Sequence, residues 1–229
     1  MEDGKVTIRF RNRREAGKQL AEHLRSYADR EDVVVLGLPR GGIPVAFEVA
    51  SALGAPLDSF AVRKLGVPGQ EELAFGAIAT GKIRVLNESL VRGLRLTDPV
   101  IERITAREQE ELDRREAAYR DHRPQFDLRG KTVIVVDDGL ATGATMRAAV
   151  SALKTRQTKE IVVAVPVGSA DTCEDIGRTV DVVCVCAATP EPFYGVGMWY
   201  DDFSQTTDSE VRELLARSDA EIGRAAMAE

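Results

Sequence analysis

Two neighbouring carboxylates and a run of small residues stand together in the segment VIVVDDGLATGAT, residues 133–145. An apolar run ends at Asp137 and Asp138, whose carboxylates can accept hydrogen bonds from a cis-diol such as the 2- and 3-hydroxyls of ribose. The small residues that follow let backbone N–H groups surround an anion, and the start of a helix adds the positive end of its dipole. A diol site followed at once by an anion site predicts binding of ribose 5-phosphate.

The predicted ribose and 5-phosphate site is a run of nine consecutive residues: Asp137, Asp138, Gly139, Leu140, Ala141, Thr142, Gly143, Ala144 and Thr145. Thr142 and Thr145 can donate hydroxyl hydrogen bonds to the same phosphate. No GxxxxGK[ST] and no GxGxxG after a strand occur, which excludes a nucleotide P-loop and leaves a Rossmann site without support. A receiver domain would need an aspartate after the strand EIVVAVPVGS, and none is present. An ordinary capped turn accounts for one acid and one glycine, but not for all thirteen residues.

Five apolar runs predict the strands that must position these residues: EDVVVLGL, LDSFAV, KTVIVVDD, EIVVAVPV and DVVCVC. Helical spacing predicts helices over 13–27, 43–53, 144–155 and 170–178. Continuous apolar runs that alternate with helices are typical of an α/β fold with an open, mainly parallel twisted sheet flanked by helices. Ligands of such sheets bind at the carboxyl ends of the strands, where both LPRGG and DDGLATGAT stand.

Two segments interrupt the alternation. We expect residues 63–75 to form a mobile loop, followed by a hairpin that turns at Thr80-Gly81. Residues 98–121 read as a long charged helix with Asp98 as its N-cap and Pro99 in its first turn. The apolar stripe of this helix should pack on the body or on a partner subunit; it consists of Ile101, Ile104, Leu112 and Tyr119. Residues 1–188 then form the core, and residues 189–229 a small C-terminal lobe with a terminal helix.

Composition limits the classes of function. The chain has 229 residues, of which 44% are hydrophobic, enough for one large core or a core with a small appended piece. Its 37 acidic and 31 basic residues give a net charge of −6, which argues against a non-specific binder of nucleic acid or anionic membranes. The sequence shows no membrane span and no signal peptide, so we expect a cytoplasmic protein. Three cysteines and two histidines predict neither a disulfide framework nor a metal cluster.

The segment IVVDDGLATGAT resembles the signature of the type I phosphoribosyltransferases: four apolar residues, two acids, two usually apolar residues and a Thr/Gly-rich loop. Gly139 replaces the usual apolar residue after the acids. GLPRGG, residues 37–42, resembles the family's pyrophosphate-binding loop, which often contains a strained cis peptide. VRKLGVPG, residues 62–69, is similar to the Arg-Lys loop of the adenine and orotate members. PFYGVGMWYDD, residues 192–202, is similar to the hood of the oxopurine members.

The resemblance implies a Mg²⁺-dependent transfer of ribose 5-phosphate from phosphoribosyl pyrophosphate to a nitrogenous base or related acceptor, in a homodimeric enzyme. It assigns pyrophosphate binding to Arg40, Gly41 and Gly42. Arg63 and Lys64 are the implied catalytic residues, which arrive as their loop closes. Tyr194, and after it Phe193, would stack on the base. Asp201 would contact the metal, with Asp202 as its rival.

The sequence departs from the family pattern at the positions that recognise the acceptor or act on it. Ala141 stands where oxopurine members carry an acid, and Ala74-Phe75-Gly76 stands where adenine members have Glu-aromatic-Gly. The acceptor is therefore not identified. A regulatory protein that binds phosphoribosyl pyrophosphate without catalysis is the alternative, which the missing acid favours and the intact Arg-Lys segment opposes.

Overall fold

The computed structural model of the protein describes residues 9–120, 126–189 and 193–226. Its strands are β1 Val33–Gly37, β2 Leu57–Ser59, β3 Val62–Val67, β4 Gln70–Ala79, β5 Ile83–Leu86, β6 Thr132–Val136, β7 Glu160–Ser169 and β8 Val182–Thr189. Its α-helices are α1 Arg13–His23, α2 Gly42–Leu53, α3 Glu88–Gly93, α4 Asp98–Arg120, α5 Ala144–Lys154, α6 Ala170–Gly177 and α7 Asp208–Ala226. Two 3₁₀ turns cover Arg25–Tyr27 and Val196–Trp199.

The central sheet has five parallel strands in the order β2-β1-β6-β7-β8. The predicted α/β fold with a parallel sheet flanked by helices is thus confirmed. All five residues of β1 and of β6 are buried, because helices cover both faces of the sheet. One core lies under α1, α2 and α7, and the other lies under α5 and α6, where Ala79 of β4 and Ile83 of β5 join it.

Strands β1 and β6 are neighbours at the point where the order of the sheet reverses. The chain leaves β1 toward β2 on one side and leaves β6 toward β7 on the other. Such a point leaves a crevice outside the carboxyl ends of the two strands. Here the Leu38 N–H donates to the Val136 carbonyl over 2.9 Å, so the chains that leave β1 and β6 begin side by side.

The segment 63–75, expected as a loop, forms β3 and the first part of β4 in a three-stranded antiparallel sheet, β3-β4-β5. The expectation of a loop was wrong because one face of this sheet is apolar and needs a partner. Leu65 and Phe75 are fully buried against the long helix α4. The hairpin predicted to turn at Thr80-Gly81 is confirmed, since β4 and β5 pair around residues 80–82.

Helix α4 packs on the body of its own chain. Ile101, Ile104 and Leu112 contact the second sheet, and Tyr119 joins the core under α1, α2 and α7. The helix begins at Asp98, but the Thr97 carbonyl accepts its first hydrogen bond, from the Ile101 N–H over 3.1 Å. Thr97 rather than Asp98 therefore occupies the N-cap position.

The C-terminal helix α7 packs against α2 and α4. Its buried residues Val211, Leu214 and Leu215 extend the core on that face of the central sheet. Of the helices in the described ranges, none has the length and hydropathy needed to cross a bilayer.

Candidate active site

The two predicted diol-binding acids follow β6 directly and are half-buried at the crevice between β1 and β6. The Asp138 N–H donates to Asp137 Oδ1 over 2.9 Å. Burial, and after it the charge of Asp138, raises the pKa of Asp137 well above its ordinary value. Burial also raises the pKa of Asp138, although Arg13 opposes the shift. The pair therefore resists carrying two full negative charges.

Arg13, which sequence reasoning missed, is the cation that accompanies these acids. Its Nε donates to Asp138 Oδ2 over 2.8 Å, and the two side chains are only 11% and 16% exposed. Arg13 is the first residue of α1, next to the N-cap Asn12. The pairing spans 125 positions of the chain, and no local pattern distinguishes Arg13 among the 31 lysine and arginine residues.

The predicted phosphate loop joins β6 to α5 and is anchored to β7 through Leu140. The Leu140 N–H donates to the Val167 carbonyl, and the Ser169 N–H donates to the Leu140 carbonyl, each over 2.9 Å. Gly143 adopts a φ of 66° directly before α5, and a Cβ there would lie 2.6 Å from Thr172 Cγ2. This turn therefore requires glycine.

The middle of the phosphate loop is open to solvent. Ala141, Thr142 and Thr145 are exposed, and the N-terminus of the 11-residue helix α5 lies among them. The Thr172 hydroxyl donates to the Ala141 carbonyl over 2.7 Å, and the Arg147 guanidinium donates to the Thr142 carbonyl. Side chains therefore satisfy these two carbonyls at a helix N-terminus that favours an anion.

The predicted pyrophosphate loop leaves β1 and packs directly on the acid pair. A Cβ on Gly41 would lie 2.1 Å from Asp138 Oδ2, and a Cβ on Gly42 would lie 2.6 Å from the Val136 carbonyl oxygen. Side chains are excluded at both positions, so the loop backbone runs along the acids. The Pro39–Arg40 peptide is cis, as the resemblance implied. Arg40 Nη1 lies 3.6 Å from Asp208 Oδ1 at the start of α7.

Arg63 and Lys64 lie on β3 and line a cavity of about 410 Å³. Pro39 of the pyrophosphate loop and Thr145 of the phosphate loop line the same cavity, so three predicted motifs meet there. Helix α4 supplies a further wall with Arg107, Glu108 and Arg115, which sequence reasoning did not place at the site. A second cavity, of about 480 Å³ and lined by Asp58, Phe126 and Arg129 among others, includes no predicted site residue.

Glu108 holds Arg63 at the edge of this cavity. Arg63 Nε donates to Glu108 Oε2 and Arg107 Nη2 to Glu108 Oε1, each over 2.8 Å. Glu108 is 7% exposed. Burial opposes ionisation of Glu108, but the hydrogen bonds and charges of Arg63 and Arg107 outweigh it and lower its pKa. The result is an ionised carboxylate that fixes an arginine, rather than a proton acceptor.

The C-terminal lobe reaches the acid pair through its aromatic residues. The Tyr200 hydroxyl donates to the Asp138 carbonyl over 2.6 Å. Phe193 stacks on Trp199 with ring centroids 6.4 Å apart, whereas Tyr194 is 83% exposed. Of the two predicted base-stacking residues, Tyr194 thus presents its ring to solvent and Phe193 supports the lobe.

The unusual Gly139 has a structural reason in this lobe. A Cβ at that position would lie 2.6 Å from Val196 Cγ1 and 3.1 Å from Val167 Cγ1. Val196 of the lobe therefore takes the space that an apolar residue after the acids would fill.

The carboxylate expected to contact a metal is engaged in an ion pair. Asp201 Oδ1 lies 2.7 Å from Arg9 Nε, with both side chains more than half exposed. Asp202 accepts from the Ser204 N–H over 2.9 Å, and this hydrogen bond lowers its pKa. Over the described ranges, no three His, Cys, Asp or Glu side chains cluster in a way that could hold a metal ion.

Comparison with known proteins gives a consistent result. The phosphoribosyl transferase domain family matches residues 10–190. Two curated proteins from strains of Mycobacterium tuberculosis, each named "Putative phosphoribosyl transferase", are 45% identical over 216 residues. That match covers 94% of this chain, which spans about half the length of these relatives (48%). The crystal structure of TT1426 from Thermus thermophilus superposes with a TM-score of 0.83 at 43% identity, over 92% of this chain and 99% of that one.

Proposed function

Since the chain belongs to the phosphoribosyl transferase family, we propose that it transfers ribose 5-phosphate from phosphoribosyl pyrophosphate to a nitrogenous base or related acceptor. The observation that carries this proposal is the acid pair at the crevice, with the phosphate loop following it and Gly41 packed against it. In that arrangement two carboxylates can accept hydrogen bonds from a diol, next to a helix N-terminus that favours an anion.

The chemistry is a substitution at the anomeric carbon. The bond from that carbon to the pyrophosphate oxygen breaks, pyrophosphate leaves with the electron pair, and a nitrogen of the acceptor forms the new bond and then loses its proton. Asp137 and Asp138 accept hydrogen bonds from the ribose hydroxyls, while residues 139–145 hold the 5-phosphate. The protein thus contributes position and electrostatic stabilisation more than covalent chemistry.

The leaving pyrophosphate needs neutralisation. Arg40 and the backbone of Gly41 and Gly42 are the proposed contacts on one side. Lys64 and Arg63 line the cavity that Pro39 also lines, so they supply positive charge from the opposite wall. Glu108 holds the Arg63 guanidinium in place there.

Mg²⁺ bound to the pyrophosphate oxygens would offset the charge of the leaving group. Asp201 is the proposed carboxylate contact and would exchange its ion pair with Arg9 for the metal. The other ligands would be oxygens of substrate and water, because Mg²⁺ commonly uses only one or two carboxylates. Tyr194 is the proposed platform for the acceptor base, with Phe193 second. The proposal also includes a cytoplasmic homodimer.

A calorimetric titration of phosphoribosyl pyrophosphate with Mg²⁺ tests the donor site. We expect micromolar binding by the wild type and a loss of a few tenfold steps in Asp138→Asn, each step about 1.4 kcal/mol. Asp113→Asn is the matched control, an exposed aspartate on α4 that accepts from Gln109. Absence of binding by folded wild type, or equal loss in both variants, refutes the site.

The second candidate is a regulatory protein that binds phosphoribosyl pyrophosphate without transferring it. Ala74 and the exposed Ala141 favour it, because the adenine members of the family carry an acid at the first position and the oxopurine members carry one at the second. A screen of nitrogenous bases for release of pyrophosphate separates the two. Release that depends on the acceptor establishes the transferase, whereas tight binding with no release by any acceptor establishes the regulatory protein.

A further inference from the structure

Arg13 joins the acid pair to the segment before α7, in which only Asp201 and its rival Asp202 have been given a role. We call residues 200–206, between the 3₁₀ turn of the lobe and α7, the C-terminal arm. While Arg13 Nε donates to Asp138, its Nη1 donates to the Ser204 carbonyl over 2.8 Å. The Arg13 guanidinium carbon also lies 3.9 Å from the centroid of the Phe203 ring.

The arm also reaches the backbone of Asp138 independently of Arg13. The Tyr200 hydroxyl donates to the Asp138 carbonyl, and Tyr200 itself is 2% exposed. Tyr200 and Phe203 pack together with ring centroids 5.0 Å apart. One aspartate is therefore held by the arm at its main chain and, through Arg13, at its side chain.

This arrangement determines which carboxylate oxygen of Asp138 can accept a hydrogen bond from a sugar hydroxyl. Oδ2 is taken by Arg13 and faces the position where a Gly41 side chain would stand, so Oδ1 is the oxygen left for a hydroxyl. A carboxylate without such a partner rotates freely about its terminal torsion. The planar Arg13 guanidinium, held by the Phe203 ring and the Ser204 carbonyl, removes that freedom. A lysine ammonium or a glutamine amide cannot make the same set of contacts.

The electrostatics agree with the geometry. In both acids, Arg13 opposes the rise in pKa that burial causes. Its positive charge thus favours the ionised form of Asp138, and a charged acceptor makes the stronger hydrogen bond to a hydroxyl.

We propose that Arg13 is a positioning residue for ribose recognition, which holds Asp138 with Oδ1 toward the sugar and links that orientation to the docking of the C-terminal arm. This inference rests on the proposed function, because it concerns the same diol site. Arg13 does not contact the reacting atoms; it acts through Asp138.

The test measures selectivity for hydroxyl groups rather than affinity alone. Ribose 5-phosphate and its 2-deoxy and 3-deoxy analogues are titrated by calorimetry into the wild type, Arg13→Gln and Phe203→Leu. Arg11→Gln is the matched control, since Arg11 lies on the same segment but pairs with Glu15 and is exposed. Melting temperatures are recorded for all four proteins.

A charged hydrogen bond to a hydroxyl is worth about 1.5–3 kcal/mol, so the wild type should prefer ribose 5-phosphate over at least one analogue by roughly 10- to 100-fold. In Arg13→Gln this preference should fall to within about threefold, with little change in the affinity for that analogue. Phe203→Leu removes no charge and should lower the preference to an intermediate value. Arg11→Gln should leave it unchanged.

Arg13→Gln with the full wild-type preference overturns the inference, as does a proportional loss for all three sugar phosphates. If Arg13→Gln fails to fold, Phe203→Leu decides, and an unchanged preference there overturns the inference. A wild type that binds none of the sugar phosphates instead refutes the proposed function, and the inference falls with it.

Discussion

Gly139 and Val196 offer a direct test of how the C-terminal lobe sits against the site. Replacing Gly139 by alanine puts a Cβ 2.6 Å and 2.8 Å from the two methyl groups of Val196, where ordinary contacts are 3.4–4 Å. The methyl groups must therefore retreat by about 1 Å, and the buried Val167 at 3.1 Å leaves little room on the other side.

Overpacking of this kind costs about 1–3 kcal/mol, and we expect about 2 kcal/mol for Gly139→Ala. In a domain of this size that corresponds to a fall in Tm of about 4–8 °C. Val196→Ala removes both clashing methyl groups from a partly buried side chain and should cost about 1 kcal/mol alone. The double variant should then be no less stable than Val196→Ala.

Urea unfolding of the four proteins gives the interaction free energy as a double-mutant cycle. We expect the two costs to fall short of additivity by about 1.5 kcal/mol or more. Gly93→Ala serves as the control, because no atom lies within 4 Å of its added Cβ. Additive costs, or Gly139→Ala as stable as the wild type, would refute the reasoning and the contact between Val196 and the loop.

Three further predictions concern charge and the acceptor. Because burial raises the pKa of Asp137, the folded state keeps a proton that the unfolded chain loses above about pH 4, so wild-type stability falls as pH rises toward and through the folded pKa. Asp137→Asn should escape this fall, so its Tm relative to wild type should increase as the pH rises above about pH 4. The pKa of Glu108 is lowered in the folded state, so the ionised carboxylate stabilises the fold above the unfolded pKa, and this stabilisation is lost as the pH falls. In urea unfolding, Glu108→Gln should therefore lower the free energy of unfolding by about 1–2 kcal/mol at about pH 7, and by less toward about pH 4. Tyr194→Ala, at an 83% exposed position, should change stability by less than about 0.5 kcal/mol yet lower kcat/KM for the acceptor about tenfold.

Each of these has a clear contrary result. A difference in Tm between wild type and Asp137→Asn that does not vary with pH would contradict the raised pKa. For Glu108→Gln, the exposed Glu102→Gln is the control, and equal costs would show that burial adds nothing. If kcat/KM for the acceptor is unchanged in Tyr194→Ala, Tyr194 is not the platform for the base.

Much of the central fold was predictable because strands buried on both faces show as unbroken apolar runs. The apolar run 133–136 is followed by two acids. Because these acids follow the carboxyl end of a parallel strand, they were expected at the crevice. Local sequence also determines where α1 begins, since the Asn12 side chain accepts from the Glu15 N–H. Such features depend on neighbours a few positions apart.

The features that escaped prediction depend on distant parts of the chain. Strand β3 carries two basic residues and a glycine, so its sequence does not resemble a buried strand. Its Leu65 and Val67 are buried only because α4 packs against them, and that contact stabilises the strand. The role of Gly139 becomes visible only when Val196 is placed beside it. Arg13 is likewise indistinguishable from other arginines until the start of α1 is placed beside Asp138.

The second sheet and α4 form one continuous insertion, residues 62–120, between β2 and β6 of the parallel sheet. The insertion supplies Arg63, Lys64 and the α4 side chains to the 410 Å³ cavity, whereas the acid pair and both glycine loops belong to the parallel sheet. The acid pair with its glycine loops and the opposite wall of the cavity are thus encoded in separate stretches of sequence. Evolution, or an engineer grafting a related insertion, can exchange that wall as a module while the acid pair and the glycine loops are inherited intact.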